Sequence, residues 1–117
     1  MKAVVFHKPG EMKVDKVEEP QIENPQDIIL RITATAICGS DLHIYNGLIP
    51  QTKPLIMGHE FMGEVVEVGA ENKALKVGDR VVVPFTIFCG ECDQCKRGNY
   101  AVCERSNPKP DEPEPNR

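Results

Sequence analysis

The sequence predicts a mainly β domain built as a small barrel. Two observations favour this fold class: short runs rich in β-branched residues recur along the chain, and turns that contain glycine or proline separate them. A third observation argues against a parallel sheet, because the predicted strands do not alternate with helical patterns of about ten or more residues. Several short strands joined by such turns are typical of small barrels. At 117 residues and 13.0 kDa, the chain is expected to form one domain with a modest core.

The first three predicted strands are a hairpin and a longer strand. Lys2–Phe6 and Met12–Glu18 are short β-branched runs on either side of the turn Lys8-Pro9-Gly10. After a loop that extends to Gln26, the longest predicted strand covers Asp27–Ala36. Its alternating pattern predicts that one face of the strand is buried. The members of that face are Ile28, Leu30, Ile32 and Ala34.

Two more strands and a short helix complete the prediction. Phe61–Val68 and Arg80–Pro84 are predicted strands, joined by a polar connection that passes through Asn72. Between the longest strand and these two, Asp41–Asn46 is a short segment for which Ser40 is a candidate helix N-cap.

Composition excludes several classes of function. The net charge of −4 and the pI near 5.4 leave no basic stripe to neutralise phosphates, so no nucleic-acid partner is expected. Tryptophan is absent and aromatic residues make up 5%, which leaves little surface on which bases could stack. No apolar run approaches the ~18 residues of a membrane span, so no membrane partner is expected. No targeting segment is recognisable, and the sequence is therefore interpreted as cytoplasmic.

Four cysteines with metal-ligand spacing form the strongest motif. Cys89, Cys92, Cys95 and Cys103 fall within fifteen residues, and thiolates two residues apart can converge on one tetrahedral zinc ion. Four sulfur ligands leave no open coordination position, so this zinc would brace a loop without doing chemistry. The alternative is two disulfides. It is less favoured because the chain has five cysteines and no secretory signal peptide.

A second set of candidate ligands lies upstream of this loop. Cys38 opens the run Cys38-Gly39-Ser40-Asp41-Leu42-His43, and Gly58-His59-Glu60 follows some twenty residues later. A catalytic zinc needs a few protein ligands and one position for water or substrate, and Cys38 and His59 are candidates for two of these ligands. Asp41 and Glu60 are plausible outer carboxylates that orient the imidazole. A hydroxyl at Ser40 and an imidazole at His43 suit the transfer of a proton away from such a site.

Together these motifs resemble the N-terminal part of a zinc-dependent medium-chain alcohol dehydrogenase. That family has the Cys-Gly-Ser/Thr-Asp-x-His run, the Gly-His-Glu-x2-Gly segment and the four-cysteine loop in this order and at about these separations. The resemblance extends from Met1 to Pro108. It implies that Cys38 and His59 bind a catalytic zinc, that Glu60 binds it or lies behind its ligands, and that Ser40 and His43 relay a proton. It also implies that the four-cysteine loop binds a structural zinc. The family usually has a small or apolar residue where this chain has Asn72, a mild departure at a predicted turn.

The resemblance also implies a fold, a reaction and partners. The expected fold is the GroES-like barrel of the family's catalytic domain, with both metal motifs on loops between strands. The expected reaction of the full-length enzyme is oxidation of a small-molecule alcohol, or reduction of an aldehyde, with NAD or NADP as the hydride carrier. Homo-oligomers are expected for the full-length family. The run from Pro84 to Cys92, with Arg105-Ser106-Asn107-Pro108, is most similar to the formaldehyde-dehydrogenase-like branch. Sorbitol- and threonine-dehydrogenase-like branches stay open.

The nucleotide-binding part of the family is not recognisable in this sequence. None of the nine glycines forms a Gly-x-Gly pair, so the Rossmann fingerprint is absent. The expected organisation is a partial catalytic domain over residues 1–106 and a proline-rich, acidic tail over residues 107–117 that is predicted to be disordered. The chain is thus interpreted as a dehydrogenase fragment that is inactive alone. The alternative is a stand-alone structural or interaction domain held together by zinc.

Overall fold

The computed structural model describes residues 1–107 and divides the chain into two compact units, Met1–Val83 and the part from Pro84 onward. The predicted tail, apart from Asn107, lies outside the described residues. The elements of the first unit, in chain order, are β1 (Lys2–Lys8), β2 (Glu11–Lys16), β3 (Ile28–Thr35), α1 (Gly39–Tyr45), β4 (Leu55–Ile56), β5 (Phe61–Val68) and β6 (Arg80–Val83). They form two antiparallel sheets of three strands, with the orders β2-β1-β4 and β3-β5-β6.

The first sheet contains the predicted hairpin and one strand that was not predicted. β1 and β2 pair in antiparallel register around the predicted turn, which confirms the hairpin. The two residues of β4 pair with the centre of β1, and the Met57 amide donates to the Val4 carbonyl at 2.9 Å. This contact helps to bury Val5 and Phe6, which are 6% and 2% exposed. A strand of two residues that directly follows a proline is too short to produce a recognisable pattern.

The second sheet aligns the two segments that carry the candidate ligands Cys38, His59 and Glu60. β3 pairs with β5 from Ile28 opposite Val68 to Thr35 opposite Phe61. A Cβ atom added at Gly63 would lie 2.6 Å from the carbonyl oxygen of Arg31, a separation that real Cβ atoms essentially never show. Glycine at this position therefore allows the close approach of the two strands.

The prediction of one buried face along 27–36 was wrong. β3 and β5 pair with two irregularities, and Thr33 is the extra residue in the second. Leu30 and Ile32 pair with the buried residues Val65 and Gly63, whereas Ala34 pairs with Met62 on the other face. A bulge interrupts the period of two, so alternating residues do not keep to one face. Ile32 remains 50% exposed.

Asn72 connects two turns of the first unit. Its Nδ2 donates to the Gln26 carbonyl at 2.9 Å, and its Oδ1 accepts from the backbone amides of Ala74 and Leu75 at 3.0 and 3.1 Å. The same turns are joined by backbone hydrogen bonds, including Glu71 N to Pro25 O at 2.8 Å. The residue that departs from the family pattern therefore satisfies three backbone groups.

The second unit is organised around the four cysteines. It contains α2 (Asp93–Lys96) and a 3-10 turn at Tyr100–Val102. Of its residues up to Asn107, Cys95 and Cys103 are buried, and the rings of Phe88 and Tyr100 lie 4.5 Å apart between centroids. Across residues 1–107, every helix is too short or too polar to cross a bilayer.

Candidate metal centres

The four-cysteine centre brings four sulfur atoms together. The Sγ atoms of Cys89, Cys92, Cys95 and Cys103 all lie within 4.8 Å of one another. Cys95 and Cys103 are buried, whereas the other two are partly exposed. All five cysteines of the chain are free thiols. The structure therefore brings together the complete predicted quartet.

Backbone amides point at several of these sulfur atoms. Cys89 Sγ accepts from the amides of Glu91 and Cys92 at 3.4 Å each, and Cys92 Sγ accepts from the amide of Cys95 at 3.5 Å. The last bond caps α2, whose N-cap residue is Cys92. Cys103 Sγ accepts from the amide of Cys89 at 3.4 Å. The short spacings Cys-x2-Cys produce the bonds to Cys89 and Cys92, because each turn aims its own amides back at the preceding sulfur. The bond to Cys103 instead joins the two ends of the loop.

The thiols have strongly different acidities. The nearby Ser106 hydroxyl, helped by the amides of Cys89, Arg105 and Ser106, lowers the pKa of Cys103 to about 5. Burial, together with the neighbouring thiol of Cys92, raises the pKa of Cys95 to about 12. Neighbouring thiolates repel one another, so four crowded sulfurs need a cation before all can ionise. Zinc fits this donor set of four convergent sulfurs.

The second centre depends on the pairing of β3 with β5. Cys38 follows the end of β3 by three residues, and His59 and Glu60 directly precede β5. The Ala36 amide donates to the Glu60 carbonyl at 2.9 Å, and the Thr35 hydroxyl donates to the same carbonyl at 3.1 Å. As a result, one donor atom from each of Cys38, His59 and Glu60 lies within 4.8 Å of the others.

The start of α1 orders this centre. Cys38 is the N-cap residue of the helix, and its amide donates to Oδ2 of Asp41 at 2.9 Å. Ser40 lies inside the first turn, so the alternative interpretation of Ser40 as a helix N-cap was wrong. The Oδ1 atom of Asp41 is buried and lies 3.3 Å from Nδ1 of His59, close enough for an ion pair although the geometry is not that of a hydrogen bond. Asp41 thus lies behind the imidazole, where the sequence predicted an outer carboxylate.

Ser40 also lies beside the candidate ligands. Its Oγ is 3.4 Å from Nε2 of His59. The Ser40 hydroxyl, together with its amide and the imidazole of His59, lowers the pKa of the Cys38 thiol. The Cys38 sulfur in turn raises the pKa of His59. A thiol that ionises easily, an imidazole and a carboxylate form a donor set that suits a zinc ion with an open position, so these residues fit a catalytic zinc.

His43 is less closely connected to the centre. It is exposed in the last turn of α1, three residues after Ser40 and on the same side of the helix. Among residues 1–107, no hydrogen bond or ion pair joins its imidazole to Ser40. The sequence analysis did not single out Thr35 or Ser106 as parts of these centres, because a lone hydroxyl residue next to a motif carries no recognisable signal.

The comparisons with known proteins identify the family of this chain. The family model of the alcohol dehydrogenase GroES-like domain matches residues 24–110. Zinc-type alcohol dehydrogenase B from Aspergillus flavus is 48% identical over 106 residues, which are 91% of this chain and 25% of the relative. Glutathione-independent formaldehyde dehydrogenase from Pseudomonas aeruginosa is 40% identical over 113 residues, covering 92% of this chain and 28% of the relative.

A solved structure agrees as well. Alcohol dehydrogenase TADH from Thermus sp. ATN1 superposes with a TM-score of 0.84 at 45% identity, over 90% of this chain and 30% of that one. The chain thus spans between a quarter and a third of the length of these proteins. The mainly β fold without a Rossmann domain is therefore the GroES-like fold predicted from the sequence. The chain belongs to the alcohol dehydrogenase GroES-like domain family of the zinc-type medium-chain dehydrogenases.

Proposed function

We propose that this chain is the zinc-binding part of an NAD- or NADP-dependent alcohol dehydrogenase. In this proposal Cys38, His59 and Glu60 hold a catalytic zinc, and the four cysteines of the second unit hold a structural zinc. The observation that supports it most is the convergence of Cys38, His59 and Glu60, which are brought together from two separate segments of the chain. A domain held together only by its four-cysteine loop would have no need of that second group.

The residues around the first centre define its chemistry. Zinc, when bound there, supplies a Lewis acid that polarises a substrate oxygen. The Ser40 hydroxyl lies beside His59 and is placed to accept the proton of an alcohol. His43, one helical turn further on, is the proposed exit for that proton, since an imidazole can both accept and donate a proton. Asp41 keeps the imidazole of His59 oriented from behind.

Hydride transfer requires a nicotinamide close to the substrate carbon. No Gly-x-Gly turn is present in the 117 residues, and the strands of residues 1–107 pair only in antiparallel register. We therefore propose that NAD or NADP binds to sequence that the longer relatives possess, and that this chain alone does not oxidise alcohols.

The substrate and the assembly are also proposals. A small alcohol or aldehyde is the proposed substrate class. The formaldehyde dehydrogenase is 40% identical to this chain, whereas zinc-type alcohol dehydrogenase B, whose name specifies no such substrate, is 48% identical. The formaldehyde-dehydrogenase-like branch therefore stays a prediction. A homo-oligomer in the cytoplasm is the proposed state of the full-length protein.

Cobalt substitution tests the two centres separately. Cobalt bound by four thiolates differs in its visible spectrum from cobalt bound by one thiolate, one imidazole and one carboxylate. We expect two populations, of which a mild chelator first removes the one that Cys38→Ser abolishes. Cys92→Ser is the matched control, because it changes the same residue type at the other centre. A single population that is insensitive to Cys38→Ser would favour the stand-alone zinc-stapled domain.

A further inference from the structure

Ser106 forms a short link across the base of the four-cysteine loop. Its Oγ donates to the carbonyl oxygen of Ile87 at 2.6 Å. Ile87 lies two residues before the first cysteine of the quartet, and Ser106 lies three residues after the last. The bond therefore joins the segment that enters the loop to the segment that leaves it.

The two ends of the loop also meet at a sulfur of the quartet. Cys103 Sγ accepts from the Cys89 amide at 3.4 Å, so the first and last cysteines of the loop are in direct contact. The Ser106 bond thus closes the loop at the place where these two cysteines meet.

The other contacts near the base do not provide the same link. Asn107 Nδ2 donates to the carbonyls of Cys103 and Ala101 at 2.9 and 3.3 Å, but none of these residues lies in the segment that enters the loop. The bond from the Cys89 amide to the Cys103 sulfur does cross the base, but it is longer and involves a ligand atom itself. Arg105, after the last cysteine, also pairs with Glu91 near the first, but the two atoms are 3.9 Å apart and both side chains are exposed. Ser106 therefore supplies the short crossing bond that does not use a metal ligand.

We propose that Ser106 is a positioning residue for the four-cysteine centre, whose hydroxyl holds the two ends of the loop together so that Cys89 and Cys103 are neighbours before an ion binds. The proposal rests on the structural zinc site proposed above. Four ligands that are already close lose less conformational freedom when the ion binds, and binding is tighter for that reason. Partners of this kind behind a metal ligand typically change metal affinity by about 10- to 100-fold.

Three variants of the full 117-residue chain test this role. Ser106→Ala removes the hydroxyl, Ser106→Thr retains it, and Asn99→Ala is the matched control. Asn99 lies in the same loop and loses a side-chain hydrogen bond to Gln94 of 3.2 Å, but that bond does not cross the base. Zinc affinity of the quartet is measured by competition with a chromophoric chelator. The cadmium-113 resonance of the cadmium-loaded protein reports the hydrogen bonds around the sulfurs.

We expect Ser106→Ala to weaken zinc binding by about 10- to 100-fold and to shift the cadmium resonance. Ser106→Thr should bind within about threefold of the parent chain, as should Asn99→Ala. Cobalt binding at the Cys38 centre is measured in the same samples and should be equal in all variants. Equal binding there would show that each variant is folded. Unchanged zinc affinity in Ser106→Ala, an equal loss in Asn99→Ala, or no rescue in Ser106→Thr would each overturn the proposal. Absence of cobalt–thiolate absorption from the quartet of the parent chain would overturn the structural zinc site and this proposal with it.

Discussion

Replacing Gly63 with alanine tests whether the pairing of β3 with β5 builds the Cys38 centre. The new methyl group would lie 2.6 Å from the Arg31 carbonyl oxygen, 3.1 Å from its carbon and 3.3 Å from the Cα of Ile32. All three atoms belong to the backbone, so no side-chain rotation can relieve the clash. The two strands must move apart at a position close to the last pair, Thr35 opposite Phe61, which aligns the ligand segments.

The cost of this movement can be estimated. Inserting a methyl group into tightly packed structure typically costs about 1–3 kcal/mol. A value of about 2 kcal/mol would lower the Tm of a domain of this size by roughly 8–16 °C. If about 1.4 kcal/mol of that cost is borne only when the ligands converge, cobalt affinity at the Cys38 centre falls about tenfold. The four-cysteine centre should keep its affinity, because its ligands all lie in the second unit.

Far-ultraviolet circular dichroism during heating and cobalt titration in visible light provide the two measurements. Gly39→Ala is the matched control, because a Cβ added there meets no atom within 4 Å and the residue lies at the start of α1. We expect this control to retain the parent Tm. If Gly63→Ala retained both the Tm and the cobalt affinity of Gly39→Ala, the inference that this close approach aligns the ligands would be refuted.

Three further predictions concern other parts of the chain. Cys92→Ser should release one tightly bound zinc per chain and loosen residues 89–103, because the energy of structural zinc binding is part of the local folding energy. Metal analysis and hydrogen exchange would detect this loss, and full zinc retention would contradict the prediction. Asn72→Ala should destabilise the first unit by about 0.5–1.5 kcal/mol, because it removes three hydrogen bonds from backbone groups that are mostly exposed to water. Urea unfolding measures the loss, and a value below that for Asn99→Ala would argue against it. Calorimetry should find no saturable binding of NAD or NADP to the zinc-loaded chain, whereas a micromolar Kd would show that these residues hold the cofactor themselves.

Most strands could be predicted because each has a local signal. The hairpin around Pro9 and the strand at 61–68 combine β-branched residues with turn residues at their ends. Features that depend on a partner strand were missed or wrong. Leu55–Ile56 becomes a strand only because β1 presents free backbone groups, and the exposure along 27–36 depends on bulges that arise from pairing with β5.

The two metal centres differ in the same respect, because one has ligands that are close in sequence and the other does not. By itself the sequence determined the four-cysteine centre, because its ligands lie within fifteen residues and two-residue spacings bring sulfur atoms together in local turns. The ligand segments at Cys38 and His59 are separated by about twenty residues, and spacing alone says nothing about their distance. Only the tertiary structure brought them together, because the antiparallel pairing of β3 and β5 ends beside both segments. It also decided which hydroxyls support the centres, since the contacts of Thr35 and Ser106 are made with carbonyls 25 and 19 residues away.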